Sequence, residues 1–284
     1  MALYSPLRYP GGKGKLVPYF KQIIRDNLLL GCTYVEPYAG GASVSLSLLL
    51  DGYVSKIVIN DIDRSIYAFW YSILNDTEKF CKLIRNTPVN VEIWKMQKAK
   101  QRNKDKCSLL ELGFSTFFLN RTNRSGILDA GVIGGVNQTG KWKIDARYNK
   151  DELINRIKMI ASYKSRIELY NLDAVKLIKL LAKKLSKNTL FYFDPPYFVN
   201  GKNLYLNHYL DSDHKKLFNV ILDLKEQNWV LTYDNVRQIK NLYSQYRQKK
   251  YNLRYSASLV GIGQELMIFS DSLYIPRHAI SSIN

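Results

Sequence analysis

Apolar residues recur along this chain with two periods. Short runs rich in Val, Ile, Leu, Phe and Tyr at 33–36, 56–60, 167–170, 189–193 and 229–232 read as strands. Between them lie stretches of helical spacing. Ala174, Leu177, Ile178, Leu181 and Leu185 share one face, while Lys176, Lys179 and Lys183 point away from it, so the stripe is core. Strands alternating with helices predict an α/β fold with a mainly parallel sheet covered by helices. Two further runs, 251–255 and 265–269, flank Gly261-Ile-Gly263 and read as a closing hairpin, which makes seven strands and a sheet mixed at one edge. The alternation stops between 64 and 166, where helical segments surround a Gly-bearing loop at 120–148. That stretch is too long for a crossover and predicts a separate, mostly helical lobe at 64–163, inserted between core segments 1–63 and 164–284.

Charge sharpens the picture. Among 284 residues, 42 Lys and Arg face 24 Asp and Glu, a net charge of +18, so a polyanion such as nucleic acid is the expected partner. A membrane surface is the weaker rival. No apolar stretch approaches the ~20 residues of a spanning helix, and residues 1–16 carry Pro, Gly and Lys where a signal peptide needs an apolar core. A cytoplasmic location is therefore expected. Cys32, Cys81 and Cys107 are scattered, and His208, His214 and His278 are unclustered, so neither disulfides nor a metal are expected.

Three segments carry chemistry. Asp194-Pro195-Pro196-Tyr197 follows the run 189–193, which places a carboxylate, two rigid rings and an aromatic face at a strand's carboxyl end, where open α/β sheets bind ligands. The prolines donate no backbone hydrogen bonds, so neighbouring carbonyls stay available as acceptors. Tyr34-Val-Glu-Pro-Tyr-Ala-Gly-Gly-Ala-Ser-Val44 reads as strand, turn and helix, with Gly40 and Gly41 letting a ligand approach the backbone at a helix amino end. Asp61 ends the next strand 21 positions beyond Gly40, the spacing at which dinucleotide-type folds hold an acid against ribose hydroxyls. There is no Gly-x-Gly-x-x-Gly, which counts against NAD. Arg8-Tyr-Pro-Gly-Gly-Lys-Gly-Lys15 lacks the Walker pattern and a preceding strand, which counts against an NTPase. In the lobe, Asn120, Arg121, Asn123, Arg124 and Ser125 cluster at the end of an apolar helix and mix base-reading with phosphate-binding side chains. Two basic groups read either as solvated surface or as phosphate grips: the run 95–106, and Arg247, Lys249, Lys250 and Arg254 at a helix end.

Taken in order, Tyr9-Pro-Gly-Gly-Lys13, Glu36-Pro-Tyr-Ala-Gly-Gly41, Asn60-Asp-Ile-Asp63, the inserted lobe, Asp194-Pro-Pro-Tyr197 and the closing hairpin resemble the Dam-like, D12 or α-group, DNA N6-adenine methyltransferases over nearly the whole chain. The resemblance implies a Rossmann-like S-adenosylmethionine-dependent methyltransferase fold with an antiparallel last strand and an inserted target-recognition domain. It implies S-adenosylmethionine as cofactor, S-adenosylhomocysteine as product and double-stranded DNA as partner, in a bacterial or phage cytoplasm at the nucleoid, with a cognate restriction endonuclease as a further partner. By the same resemblance, Glu36, Gly40 and Gly41 line the methionine end, and Pro37, Tyr38, Ala39 and Asp194 also bind the cofactor. Asp61 binds the ribose, Asp173 meets the exocyclic amine of the cofactor's adenine and Tyr9 packs near that adenine. Gly12 and Lys13 face the same cleft, with Lys13 serving either cofactor or target base. Arg8 matches a residue that reads a base edge. Two departures, Arg124 where relatives carry an aromatic wedge and Asp129 where they carry a base-reading Arg, point away from GATC as the recognised sequence.

The expected chemistry centres on Asp194, with Pro195, Pro196 and Tyr197 completing the catalytic set. An adenine amino group is a poor nucleophile because its lone pair is delocalised, so hydrogen bonds from its N–H groups to Asp194 and the Pro195 carbonyl would localise that pair. Rival readings are methylation of RNA or of a protein glutamine, and a non-catalytic nucleic-acid-binding module on the same fold. Asp rather than Asn at 194 and the basic lobe favour DNA, and an intact Asp194–Tyr197 set argues against a binding module.

Overall fold

The computed structural model describes residues 4–8, 12–198, 209–255 and 261–276. Strands β1 (Cys32–Glu36), β2 (Val54–Asn60), β3 (Ile167–Tyr170), β4 (Thr189–Phe193), β5 (Asn228–Asp234), β6 (Arg247–Tyr255) and β7 (Gly261–Phe269) form one seven-stranded sheet in the order β3-β2-β1-β4-β5-β7-β6. β1 pairs in parallel with β2 and β4, and β4 with β5, whereas β7 runs antiparallel to β5 and β6. This is the Rossmann-like arrangement with a reversed last strand that the sequence implies. Central strands read as continuous apolar runs because both faces are covered, and β4, Thr-Leu-Phe-Tyr-Phe, is buried at every position.

The chain divides into two compact units. One holds Lys13–Ile62 and Leu172–Asn284, and the other holds residues 1–12 with Asp63–Asn171. In the first, α1 (Val17–Asp26), α2 (Ser43–Leu50), α8 (Ala174–Ala182), α9 (Asp211–Leu222) and α10 (Arg237–Leu242) accompany β1, β2 and β4–β7. α8 buries Ala174, Leu177, Ile178 and Leu181, the stripe visible in the sequence.

The second unit is built from α3 (Arg64–Asn75), α4 (Thr77–Asn86), α5 (Val91–Arg102), α6 (Leu109–Thr122) and α7 (Lys150–Ser162) around an aromatic core. The Phe69 and Phe117 rings stack at 6.0 Å, and Phe80 and Tyr148 meet Phe117 edge-on at 5.6 and 5.5 Å. Gly113 lets α6 approach α3: a Cβ there would stand 2.4 Å from the Ala68 carbonyl oxygen.

Parallel strands put their carboxyl ends on one edge. In register, Glu36 on β1 pairs with Ile59 on β2, and Phe193 on β4 with Leu231 on β5. The residues ending or just following these strands, Glu36, Asn60, Asp61, Asp194 and Asp234, therefore gather there. Because β7 runs the other way, it places Glu265 opposite Asp234.

Candidate active site and nucleic-acid interface

Glu36 ends β1 and is buried, hydrogen-bonded to the Ser45 hydroxyl in the first turn of α2. Burial pushes its carboxyl up to about 8, opposed by that hydrogen bond and reinforced by the charge of Asp194. The turn through Pro37, Tyr38, Ala39, Gly40 and Gly41 is tied to β2. Asn60 Nδ2 donates to the Pro37 carbonyl at 2.9 Å, the Ala39 N–H donates to the Asn60 carbonyl, and the Gly40 N–H donates to Asp61 Oδ2 at 2.9 Å. Gly40 sits at φ 46°, a left-handed conformation that costs glycine nothing. Ala42, at the cap position of α2, offers no side-chain acceptor, so the first N–H groups of that helix have no side-chain cap. An uncapped helix start for a carboxylate, acids for ammonium, sulfonium and ribose hydroxyls, and a glycine turn against the backbone together fit S-adenosylmethionine. Asn60 also exchanges two hydrogen bonds with the backbone of Leu172, which fixes Asp173. The Asp173 carboxylate accepts from the Lys176 N–H as the cap of α8. Tyr38 Oη lies 2.7 Å from Tyr209 Oη. Tyr9 lies outside the described residues, and Gly12 is exposed.

Asp194 leaves the end of β4 with both oxygens engaged. Oδ1 accepts from the Thr232 hydroxyl at 2.7 Å, and Oδ2 lies 3.4 Å from Lys13 Nζ. Its side chain remains 18% exposed, so it can be reached, while Lys13 is 4% exposed. Burial pushes the Asp194 carboxyl above its ordinary value; Lys13 and the Thr232 hydroxyl pull it back, and Glu265 adds to the rise. Pro195 is buried and Pro196 half-buried, and the loop beyond is pinned where the Phe198 N–H donates to Asp234 Oδ1 at 3.0 Å. The Lys13 ammonium stands 4.8 Å from the centroid of the Tyr197 ring. His214 is buried with Nδ1 2.8 Å from the Tyr233 hydroxyl, a structural histidine as its isolation in the sequence suggests.

Thr232, Asp234, Asn60, Tyr251 and Glu265 were not legible as site residues. The only local signal was polar side chains at strand ends, in Asn60-Asp61 and Thr232-Tyr-Asp234. Among the described residues no cluster of His, Cys, Asp or Glu could hold a metal ion.

The residues expected to contact DNA lie together in the second unit, but they do different work. Asn120 is buried: its Oδ1 accepts from the Arg8 N–H at 2.7 Å, and its Nδ2 donates to the carbonyls of Arg8 and Gly126 at 2.7 and 2.9 Å. Asn123 is wholly buried, donating to the carbonyls of Ile127 and Leu128 and accepting from the Trp94 indole at 2.6 Å. The expectation that these amides read bases is corrected, because their polar atoms are spent on holding the loop in shape. Ser125 and Gly126 both have positive φ, and a Cβ on Gly126 would meet the Arg8 carbonyl oxygen at 2.4 Å.

The arginines differ. Arg124 is exposed, and Arg8 donates to the Asn123 carbonyl at 3.1 Å. Arg121, hydrogen-bonded to the Arg147 carbonyl, is held down to about 10 by burial and by the charges of Arg8 and Arg156. Trp142 is exposed in the following loop, with the Lys141 ammonium 5.9 Å from the ring centroid.

The other basic groups are partly structural. Lys98 donates to the Leu128 carbonyl and Lys100 pairs with Glu111. Arg247 and Lys249, expected at a helix end, lie on β6 and donate to the carbonyls of Ser270, Leu273 and Pro276.

Residues 9–257 match the family model of the D12 class N6 adenine-specific DNA methyltransferases. The chain belongs to this family. It is an adenine-specific DNA methyltransferase, and S-adenosylmethionine is its methyl donor. It is 22% identical over 204 residues to the Type II methyltransferase M.MjaIII of Methanocaldococcus jannaschii, covering 67% of this chain and 68% of that one. Among solved structures it is similar to the SAM-dependent methyltransferase from Agrobacterium tumefaciens, at 9% identity and a TM-score of 0.44. That match covers 90% of this chain and spans 62% of the other's length. A putative RNA methyltransferase from Pyrococcus horikoshii aligns at 9% identity and a TM-score of 0.41, over 93% of this chain and 86% of that one. No helix among the described residues of the methyltransferase is long and apolar enough to cross a membrane.

One consequence of the Glu36 environment is measurable without substrate. Its folded-state carboxyl sits near 8 against an ordinary 4.5, so the unfolded chain gives up this proton first. The group's contribution to stability is present below pH 4.5 and is lost as pH rises to about 8. Glu36→Gln keeps an acceptor for Ser45 and removes the titration. Its stability relative to wild type should climb between pH 5 and pH 8 by on the order of 3 kcal/mol. Denaturant melts at the two pH values measure this, and a pH-independent difference would contradict the assignment of a raised carboxyl.

Proposed function

We propose that this methyltransferase acts at one DNA sequence other than GATC, on an adenine extruded from the duplex, with Asp194, Pro195, Pro196 and Tyr197 as its catalytic set. The observation that carries the reading is the fixed Asp194 carboxylate, held through one oxygen by Thr232 and flanked at the other by Lys13, yet still reachable at the sheet's carboxyl edge. Extrusion costs a few kcal/mol, and stacking on Tyr197 at ~1–3 kcal/mol offsets part of it. Asp194 and the Pro195 carbonyl accept the two N6–H bonds, turn the nitrogen lone pair toward the donor and hold it in line. S-adenosylmethionine supplies an electrophilic methyl, so the protein has only to activate the amine. The acids Glu36, Asp61 and Asp173 would hold the donor's cationic end and its hydroxyl and amine groups.

DNA positioning falls to the arginines. Arg8, Arg121 and Arg124 grip phosphate and base edges, with Asn120, Asn123 and Ser125 shaping the loop that presents them. A restriction endonuclease of the same specificity, in a bacterial or phage cytoplasm, is the partner suggested by the Type II designation of M.MjaIII. The decisive experiment incubates the protein with methyl-labelled donor and duplex DNA, then maps modified adenines by methylation-sensitive sequencing. Label at N6 within a single sequence context is expected. Transfer to RNA or protein but not to duplex DNA would overturn the reading.

A further inference from the structure

Beside Asp194 one cation is shared between two acids. Lys13 Nζ is 3.4 Å from Asp194 Oδ2 and 3.5 Å from Glu265 Oε1, and the Glu265 side chain is 1% exposed. Glu265 lies on β7, in register with Asp234 on β5 and with Tyr251 on β6, whose hydroxyl donates to Glu265 Oε2. A Lys13–Asp194 pair would be neutral by itself. The second carboxylate brings another buried charge onto the same cation, and taking a carboxylate out of water is costly.

The chemistry gives a reason. In the transfer, the N6 lone pair forms the new N–C bond, the C–S bonding electrons stay on sulfur, and one N6 proton passes to Asp194 and from there to water. An Asp194 that owned the whole of Lys13 would be a weak acceptor of that proton. We infer that Glu265 is a positioning residue that draws the Lys13 ammonium partly away from Asp194 and so keeps Asp194 able to accept the proton. Tyr251, by holding Oε2, leaves Oε1 turned to Lys13. This rests on the assignment of Asp194 as acceptor.

The other groups around Asp194 do not supply this charge. Thr232 on β5 is a neutral donor. Tyr34 on β1, Tyr192 on β4 and Tyr233 on β5 are held well above the ordinary phenol value, chiefly by burial, so they stay uncharged at assay pH. Glu36 on β1, raised to about 8, is protonated through the acidic range. Among the described residues, Lys13 and Glu265 are the charges that act most on Asp194.

The test is the pH dependence of single-turnover methyl transfer at saturating donor and duplex, for wild type, Glu265→Gln and Glu265→Asp. Loss of the charge in Glu265→Gln should move the acidic limb down by about 1 pH unit and lower the plateau about tenfold, with KM for the donor unchanged within a few fold. Glu265→Asp, which keeps the charge, should leave the limb near that of wild type. Because Glu265→Gln removes a buried charge, keeps an acceptor for Tyr251 and leaves Lys13 paired with Asp194, it should melt no lower than wild type. A limb that stays in place or moves up overturns the inference, and so does a large drop in melting temperature, which would make the charge a requirement of the fold. If Asp194→Ala still turns over, the assignment of Asp194 itself fails. If Asp194→Ala is inactive and the Glu265→Gln limb has not moved, only the inference fails.

Discussion

Asp194→Ala should abolish methyl transfer, lowering the single-turnover rate by at least about 10³-fold, while affinity for donor and for duplex DNA stays within a few fold. The size follows from what the carboxylate supplies. On the proposed mechanism it would accept from the amine, hold the nitrogen in line with the methyl and take the released proton, three contributions that one alanine removes together. Binding should survive because, on the proposed assignment, the donor's other contacts would come from Glu36, the Gly40 turn, Asp61 and Asp173, and the DNA contacts from the arginines of the second unit. The fold survives as well. Lys13 keeps Glu265 at 3.5 Å, and Thr232 Oγ1 keeps Tyr192 Oη at 3.0 Å and the Phe193 carbonyl at 3.4 Å. Rapid-quench measurement of label transfer, with equilibrium titrations of donor and duplex, reads all three quantities. Retained turnover would remove Asp194 from the mechanism, and a parallel collapse of donor affinity would reassign it to cofactor binding.

Asn120→Ala should destabilise the second unit by about 2–4 kcal/mol, because the Arg8 N–H and the Arg8 and Gly126 carbonyls lose their side-chain partner in a largely buried place. DNA affinity should fall with it, and evenly across sequences, since the loop carrying Arg124 and the backbone of Arg8 lose their shape together. A base-reading asparagine behaves differently: its loss leaves stability untouched and relaxes one position of the recognition sequence. Thermal melts paired with binding to cognate and scrambled duplexes separate the two. Unchanged melting with altered base preference would restore Asn120 as a reader.

The fate of Asn120 and Asn123 marks where sequence reasoning stopped. Both lie in a polar, Arg-rich segment that reads as a place for nucleic acid, and residue type alone offers amides for base edges. Whether such an amide faces outward depends on which backbone groups come near it. Here the partner of Asn120 is Arg8, 112 positions away. The basic residues of β6 make the same point, since a strand places Arg247 and Lys249 against carbonyls of the segment that follows β7. Asp194, Asp61 and the Gly40 turn were legible because their place is set by local grammar, a strand followed by a turn, and the carboxyl edge of a parallel sheet collects them whatever the rest of the chain does.

The sequence by itself determined the order of strands and helices, the acids and glycines at the strand ends, and an excess of cations suited to DNA. These are properties of period, spacing and count, which the chain carries before it folds. Tertiary structure alone decided that Lys13 is shared by Asp194 and by a glutamate 252 positions away, and that two asparagines hold a loop together. Those outcomes depend on burial and on hydrogen-bond partners brought in by a reversed strand and a distant terminus. The strength of a charge or an amide is fixed by what surrounds it, and no neighbour in the sequence records that.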